Sequence, residues 1–221
     1  MSSEPEATVR HTPTGQRAER KRHAIVDAAR DIFIRHGYEV GVDTIAAEAG
    51  VSKVTIYNHF GSKEALFIAV IVDALDEALD VTLTESKKHL VDSADPRAAL
   101  LGTAAALVDG VTQPSVLALR NLVTGELRRF PELGAAWRER GPQRIAAAMR
   151  PVLRAMVKRG ELRIPDMELA LQQFFGLTLY PHFAVSSYGG AIEPRLARRL
   201  ISQGVDMFLS YYRSAGSLSE E

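Results

Sequence analysis

Two short helical patterns meet at a glycine between Thr44 and Phe60, and this junction constrains the chain more than any other stretch. It reads Thr44-Ile45-Ala46-Ala47-Glu48-Ala49-Gly50-Val51-Ser52-Lys53-Val54-Thr55-Ile56-Tyr57-Asn58-His59-Phe60. A helix from about Asp43 to Ala49 places Ile45, Ala46 and Ala49 on one side, and Gly50 stops it. Ser52 is placed to cap a second short helix that continues through His59 or Phe60. Such a unit crosses its helices steeply and exposes the second. Ala46 and Ala49 are small enough to let the helices approach. Ile45, Val51, Ile56 and Phe60 can form a small core with Ile32 and Phe33 from the preceding helix. Lys53, Thr55, Tyr57, Asn58 and His59 are left facing outward. They are hydrogen-bonding side chains of moderate length, suited to phosphates and to base edges in a major groove.

The surrounding chain punctuates in the same way. Residues 1–16 lack periodicity and read as a disordered arm. Ile25, Ala28, Ala29, Ile32 and Phe33 then mark one face of a helix that Gly37 ends, after the basic pair Arg35-His36. Ser62 can cap a long helix with the stripe Leu66, Phe67, Val70, Ile71, Ala74, Leu75, Ala78 and Leu79. Helical segments follow at about 96–109, 115–129, 132–140, 142–158, 166–186 and 194–213. Pro142 suits the first position of a helix, whereas Pro151 and Pro181 should kink or interrupt theirs. No stretch alternates long enough to be a strand. The expected fold is all-α, with about nine helices. A three-helix reader occupies residues 17–64, a larger helical domain 65–213, and a flexible tail 214–221.

Composition removes several function classes. Hydrophobic residues make up 46% of the chain, enough for a sizeable core. Cysteine is absent, so disulfides and thiolate metal sites are excluded. No apolar run approaches the roughly 20 residues of a membrane span, and Met1 to Gly15 lacks the apolar core of a signal peptide. A cytoplasmic protein is expected, with no membrane partner. The 27 basic and 27 acidic residues cancel, which argues against binding to nucleic acid by bulk attraction. A local basic cluster does exist at Arg10, Arg17, Arg20, Lys21 and Arg22, opposed by Glu19; its plain alternative is a solvated helix start. The six histidines are scattered, and Glu85 with His89 has no second such pair to complete a di-metal bundle. No phosphate loop, zinc-protease helix, dinucleotide fingerprint or nucleophile elbow is present, and no cofactor is implied.

The residues Ile45-Ala46, Ala49-Gly50-Val51-Ser52, Thr55-Ile56-Tyr57-Asn58-His59-Phe60 and Ser62-Lys63-Glu64-Ala65-Leu66 together resemble the DNA-binding domain of the TetR family of bacterial repressors. The resemblance covers roughly residues 17–70 and is highly specific. It implies phosphate contacts by Thr44, Tyr57, His59 and Lys63, and base-edge contacts by Lys53, Val54, Thr55 and Asn58. Tyr57 can instead pack its ring on the first helix, and His59 can be a plain helix-ending histidine. Two departures stand out. Val54 occupies a position where the family often has Gly, Gln or Ala. The linker Gly37–Val42 is about one residue short, with Gly41 in place of a Ser or Thr cap.

Leu117 to Thr178 resembles the regulatory domain of the AefR-like subgroup, through Arg129-Phe130-Pro131-Glu132-Leu133, Gly141-Pro142, Arg159-Gly160-Glu161-Leu162 and Ala170 to Leu177. This implies a homodimer built on the last two long helices. Their apolar stripes give the interface set Phe175, Gly176, Leu179, Leu200, Ile201, Gly204, Val205 and Phe208, with monomer core as the alternative. Interior glycines at 176 and 204 cost about 1 kcal/mol each, which close helix approach would offset. A dimer would hold two reading helices about 34 Å apart on a near-palindromic operator in double-stranded DNA, associated with the nucleoid. The candidates for a small-molecule pocket are Trp137, Met149, Met156, Phe174, Tyr180 and Phe183, with Asn121, Gln173 and His182 as polar partners. Each is alternatively plain core.

The resemblance thus implies a repressor released from its operator by an apolar or amphipathic effector of unknown identity. Two other readings stay open. One is a DNA-binding protein without a ligand, whose second domain only dimerises or binds another protein. The other is a helical module that has lost DNA binding, against which the intact Thr55 to Lys63 string speaks.

Overall fold

The computed structural model describes residues 15–92 and 95–214, the end of the helix beyond Ser86 by its backbone alone. The arm of residues 1–16, including Arg10 and His11, and the tail 214–221 lie almost wholly outside the described residues, as does the His89 side chain. Eleven helices and no strands are present among the described residues, rather than about nine. The chain divides into two compact units, one ending at Ala74 and the other beginning at Leu75.

The first unit contains α1 (Gln16–His36), α2 (Val42–Glu48), α3 (Lys53–Phe60) and the opening turns of α4 (Lys63–Asp92). One stripe of α1 is buried: Ile25, Val26, Ala29, Ile32 and Phe33. It meets Leu66, Phe67, Val70 and Ile71 from α4 and Val42, Ile45 and Ala46 from α2 in a continuous apolar core. Phe33 and Tyr38 both set ring edges against Phe67, at 4.9 and 5.1 Å. Tyr38 is fully enclosed because its hydroxyl donates to Glu64 Oε1 at 2.7 Å, which satisfies its one polar atom. Without a side-chain cap, Gly41 starts α2 through its extended backbone, and Thr44 N–H bonds its carbonyl at 3.2 Å.

Chemistry at Gly50 makes the turn from α2 to α3. Its φ of +62° is the left-handed value glycine adopts at no steric cost. Gly50 N–H donates to Ala47 O and Val51 N–H to Ala46 O, at 3.3 and 3.0 Å, the paired bonds that close a helix on a glycine. Two residues later Ser52 Oγ accepts from Thr55 N–H at 3.1 Å and opens α3.

The second unit contains the rest of α4 with α5 (Pro96–Val111), α6 (Pro114–Glu126), α7 (Glu132–Arg140), α8 (Pro142–Lys158), α9 (Met167–Thr178), α10 (Tyr180–Ser186) and α11 (Pro194–Tyr212). Proline opens α5, α6, α8 and α11, where a missing N–H costs nothing. Pro151 behaves differently from the expectation of a break: α8 runs through it as one helix, with the proline exposed. Pro181 does mark a break, and the single segment expected over 166–186 is α9 and α10 joined at Leu179. Among the described residues no single helix is long and apolar enough to cross a membrane; α5 and α6 qualify only as a pair, bent by 61°.

The helix α11 packs on α9 and α5 about a core of Leu100, Leu107, Leu153, Phe174, Val205 and Phe208. Gly204 brings α11 close against α9. A Cβ built there would stand 2.6 Å from the backbone oxygen of Leu177, which cannot move aside. The close approach offered for this glycine therefore occurs inside the protomer, between α11 and α9. Gly204→Ala is expected to lower stability to urea by about 1–3 kcal/mol through overpacking. Gly125→Ala, in α6 with open space at its Cβ, is expected to be neutral or to stabilise by up to about 1 kcal/mol.

Candidate nucleic-acid interface

Of the eight residues of α3 only Ile56 is buried. That single anchor fixes which face is inward, and the opposite face is left to solvent. The helix spans about 12 Å at 1.5 Å per residue, close to the width of a major groove. Asn58 and Lys53 are exposed on it, and Val54 is 66% exposed although apolar. Thr44 is exposed near the start of α2, while Thr55, Tyr57, His59 and Lys63 are half-buried. The chain thus brings Lys53, Val54 and Asn58 outward on one short helix.

Three of these side chains have partners that periodicity did not indicate. Lys53 Nζ bonds Asp43 Oδ2 at 2.9 Å, from α3 to the first turn of α2, and this raises the Lys53 pKa. Both groups are well exposed, so the pair contributes little to stability. Thr55 Oγ1 lies 2.9 Å from Ser52 Oγ, so its hydroxyl takes part in the cap as well as facing outward. Lys63 Nζ lies 4.2 Å from the centre of the Tyr38 ring, a cation–π contact that holds it over the aromatic cluster.

His59 lies near Lys21 and Arg22 of α1, and Arg22 rests over the Phe60 ring at 5.3 Å. The basic cluster at the start of α1 therefore lies beside the end of α3. Sequence periodicity could not show this, because the two segments are far apart along the chain.

In the second unit, α4, α5, α6, α7, α8, α9 and α10 surround a cavity of about 60 Å³ that opens to solvent. Its walls are Leu75, Ala78, Leu79, Thr82, Gly110, Val111, Val116, Trp137, Gly141, Pro142, Ile145, Phe175, Leu179, Tyr180 and Phe183. Trp137, Tyr180 and Phe183 of the pocket candidates are in this wall. Met149, Met156 and Phe174 instead fill the core, at 2% exposure or less. Asn121 is exposed and does not reach the cavity. Gln173 is exposed on another face, where it accepts a bond from Tyr212. His182 is buried without being part of the wall.

The interface candidates also need correction. Ile201, Gly204, Val205 and Phe208 are buried within the protomer and belong to its own core. Phe175 and Leu179 line the cavity. Gly176 is exposed and Leu200 half-buried. A stripe wide enough to serve both core and partner cannot be divided by period alone, and the core took its centre. The solvent faces of α9 and α11 carry Leu169, Gly176, Leu196, Met207 and Tyr211 instead. Among the described residues no three His, Asp or Glu side chains gather as a metal site.

A buried three-helix core, a glycine turn and an outward second helix define the class of helix-turn-helix transcriptional regulators. The model for bacterial regulatory proteins of the tetR family matches residues 25–70, and that for the AefR-like transcriptional repressor C-terminal domain matches residues 98–214. The chain belongs to the TetR family. It is 32% identical over 155 residues to the transcriptional repressor NicS of Pseudomonas putida, covering 67% of this chain and 68% of that protein. The repressor AcnR of Corynebacterium efficiens is 30% identical over 125 residues, covering 56% of this chain and 60% of its own length. The activator FasR of Mycolicibacterium smegmatis is 37% identical over 78 residues, 32% of this chain and 35% of its own. The chain thus spans less than two thirds of those last two relatives.

Among solved structures, a TetR-family regulator from Mesorhizobium loti superposes with a TM-score of 0.82 at 29% identity, over 90% of this chain and all of that one. The flavonoid-responsive regulator FrrA gives a TM-score of 0.72 at 25% identity, over 89% of this chain and 99% of its own. Regulators of this family bind DNA and function as dimers.

His59 supplies a check on the geometry. Burial, then the charges of Lys21 and Arg22, hold its pKa below the usual 6.5. The unfolded chain therefore binds this proton more readily than the folded one. The contribution is fully present above the unfolded pKa and is lost as pH falls through it toward the folded value. Proton NMR of the imidazole should show a pKa below 6.5. Arg22→Ala should move it upward, and His59→Gln should reduce the loss of stability on acidification.

Proposed function

We infer that the protein is a homodimeric repressor that binds a near-palindromic operator and leaves it when a small apolar or amphipathic ligand occupies the cavity of the second unit. Residues 17–64 serve as the reader, and 65–213 as the sensing and dimerising domain. The work is done on the nucleoid, in the cytoplasm. The single observation that carries this reading is the outward face of α3, anchored by one buried isoleucine and otherwise free to enter a groove.

In this reading Lys53, Val54, Thr55 and Asn58 meet base edges, and Thr44, Tyr57, His59 and Lys63 meet phosphates. Val54 suits a thymine methyl, since its exposed side chain offers contact without hydrogen bonds. Two such helices on successive turns of one DNA face require half-sites about 34–36 Å apart, hence an inverted repeat. The partner protomer meets the solvent faces of α9 and α11, where Gly176 of the expected set stays exposed and Leu169, Met207 and Tyr211 take the place of the buried residues. Repression is favoured over activation by the AefR-like repressor match over residues 98–214.

The ligand half of the reading is supported by the cavity itself. Its wall is apolar apart from Thr82, Trp137 and Tyr180, the composition of a site for an apolar body. A ligand that binds the conformer unable to span the operator lowers DNA affinity by its differential affinity for the two conformers.

Fluorescence anisotropy on inverted-repeat duplexes recovered by genome-wide mapping tests the reading. Tyr57→Ala and Lys63→Ala should weaken binding to every sequence alike. Asn58→Ala should relax preference at one or two positions, by about 1–3 kcal/mol at the contacted base. Equal losses on all duplexes for Asn58→Ala would remove it from the readers, and indifference of the intact protein to inverted repeats at low salt would end the DNA-binding reading. Asp43→Asn frees Lys53 and removes a negative charge from this face. It should tighten binding about twofold to fivefold, the range of an exposed ion pair, and unchanged affinity would place Lys53 off the DNA.

A further inference from the structure

Two buried nitrogens of the second unit lack a hydrogen-bond partner: Arg120 Nη2 on α6 and His182 Nε2 on α10. Neither residue is part of the cavity wall, but both adjoin residues that are. Arg120 stands one helical turn beyond Val116, which lines it, so the two share a face of α6. The Arg120 guanidinium lies over the Phe183 ring, 5.5 Å from its centre, and that ring is part of the wall. His182 precedes Phe183 in the chain and is only 5% exposed.

For a cation, Arg120 is poorly held. Its Nη1 reaches the carbonyl oxygen of Phe183 and the hydroxyl of Ser186, both at 3.4 Å and both neutral. No carboxylate pairs with it among the described residues. Burial depresses the Arg120 pKa, the mark of a desolvated charge without a counter-charge. Burial also lowers the pKa of His182, with exposed Asp109 acting against it through space. A half-buried guanidinium with no anion is costly. Its planar fork fits a carboxylate with two parallel bonds.

The cavity wall offers a ligand's polar end little else. The Thr82 hydroxyl donates to Ala78 O at 2.9 Å, and Tyr180 donates to Gln172 Oε1 at 3.2 Å. No acidic or basic side chain is part of the wall. Beside it stand Arg120 and, with a proton on Nε2, His182, whereas Arg140 and Arg144 are taken up by Asp76 and Asp80.

We propose that the effector is a monocarboxylate with an apolar body, which lies in the cavity while its carboxylate meets Arg120, with His182 as a second donor. This rests on the cavity being the effector site. Trp137 is the chain's single tryptophan and lines the cavity, so its fluorescence reports occupancy directly. Decanoate and decan-1-ol, which share an apolar chain and differ in charge, are the probes.

The intact protein should bind decanoate at least about tenfold more tightly than decanol, as expected for a charge-assisted bond. Arg120→Met should abolish that preference and leave decanol binding within about twofold. Arg120→Lys should keep part of it, and melting curves of both variants confirm folding. A purely structural Arg120 would shift melting temperature without moving the ratio of the two affinities. Equal binding of both probes by the intact protein, or a preference that survives Arg120→Met, overturns the carboxylate assignment and leaves the cavity reading intact. Unchanged Trp137 emission with both probes overturns the cavity reading and the assignment together.

Discussion

Burial of Ile56 is the contact on which the reading face depends. An isolated eight-residue helix is unstable in water, because nucleation costs more than so few backbone bonds return. The helix α3 exists because Ile56 sits in the core of α1, α2 and α4 and because Ser52 caps its first turn. A cap of this kind contributes about 1 kcal/mol, and burial of one isoleucine about 1.5–3 kcal/mol. Half-buried Thr55, Tyr57, His59 and Phe60 share the packing, and Lys53, Val54 and Asn58 are left free of it. These three can vary while the fold stays the same.

The second unit solves an opposite problem. It must hold a close-packed core and leave a space beside it. Close approach of α11 to α9 at Gly204 gives the tight part, where Phe174, Val205 and Phe208 are almost wholly enclosed. The open part lies where the shorter helices α6, α7 and α10 turn over one another. Breaks at Gly141 and Leu179 set those short helices, and both residues are in the cavity wall. The interruptions that shorten helices here also leave room between them.

Local signals in the sequence carried the first unit well. Gly50, Ser52 and the apolar spacing from Ile45 to Phe60 placed the turn and both helices to within a residue or two, because caps and turns act over three or four neighbours. The all-α class and the helix start at Pro142 were legible for the same reason. What was not legible depends on contacts between distant segments. Asp43 beside Lys53 and Arg22 over Phe60 arise from steep helix crossings that no period encodes. The two apolar helices near the C-terminus were harder still. Their stripes name Ile201, Val205 and Phe208 as apolar-facing, yet a stripe does not say whether the cover is the same chain or another. Arg120 gave no signal, since an arginine on a helix is ordinarily a solvated one.

Charge limits how the reader can work. Within the described part of the first unit, Arg17, Arg20, Lys21, Arg22, Arg30, Arg35, Lys53 and Lys63 are matched one for one by Glu19, Asp27, Asp31, Glu39, Asp43, Glu48, Glu64 and Asp73. Several of the cations are already engaged: Arg30 with Asp73, Lys53 with Asp43, and Lys63 over Tyr38. Long-range attraction to DNA is therefore weak, and the basic start of α1 has the largest share of it. Each phosphate neutralised steepens the salt dependence of binding by about 0.9 in log–log slope. A neutral reader with few free cations has a shallow slope. In the proposed reading, preference for one sequence over another then rests on short-range contacts at the face of α3, which salt screens far less than it screens phosphate attraction.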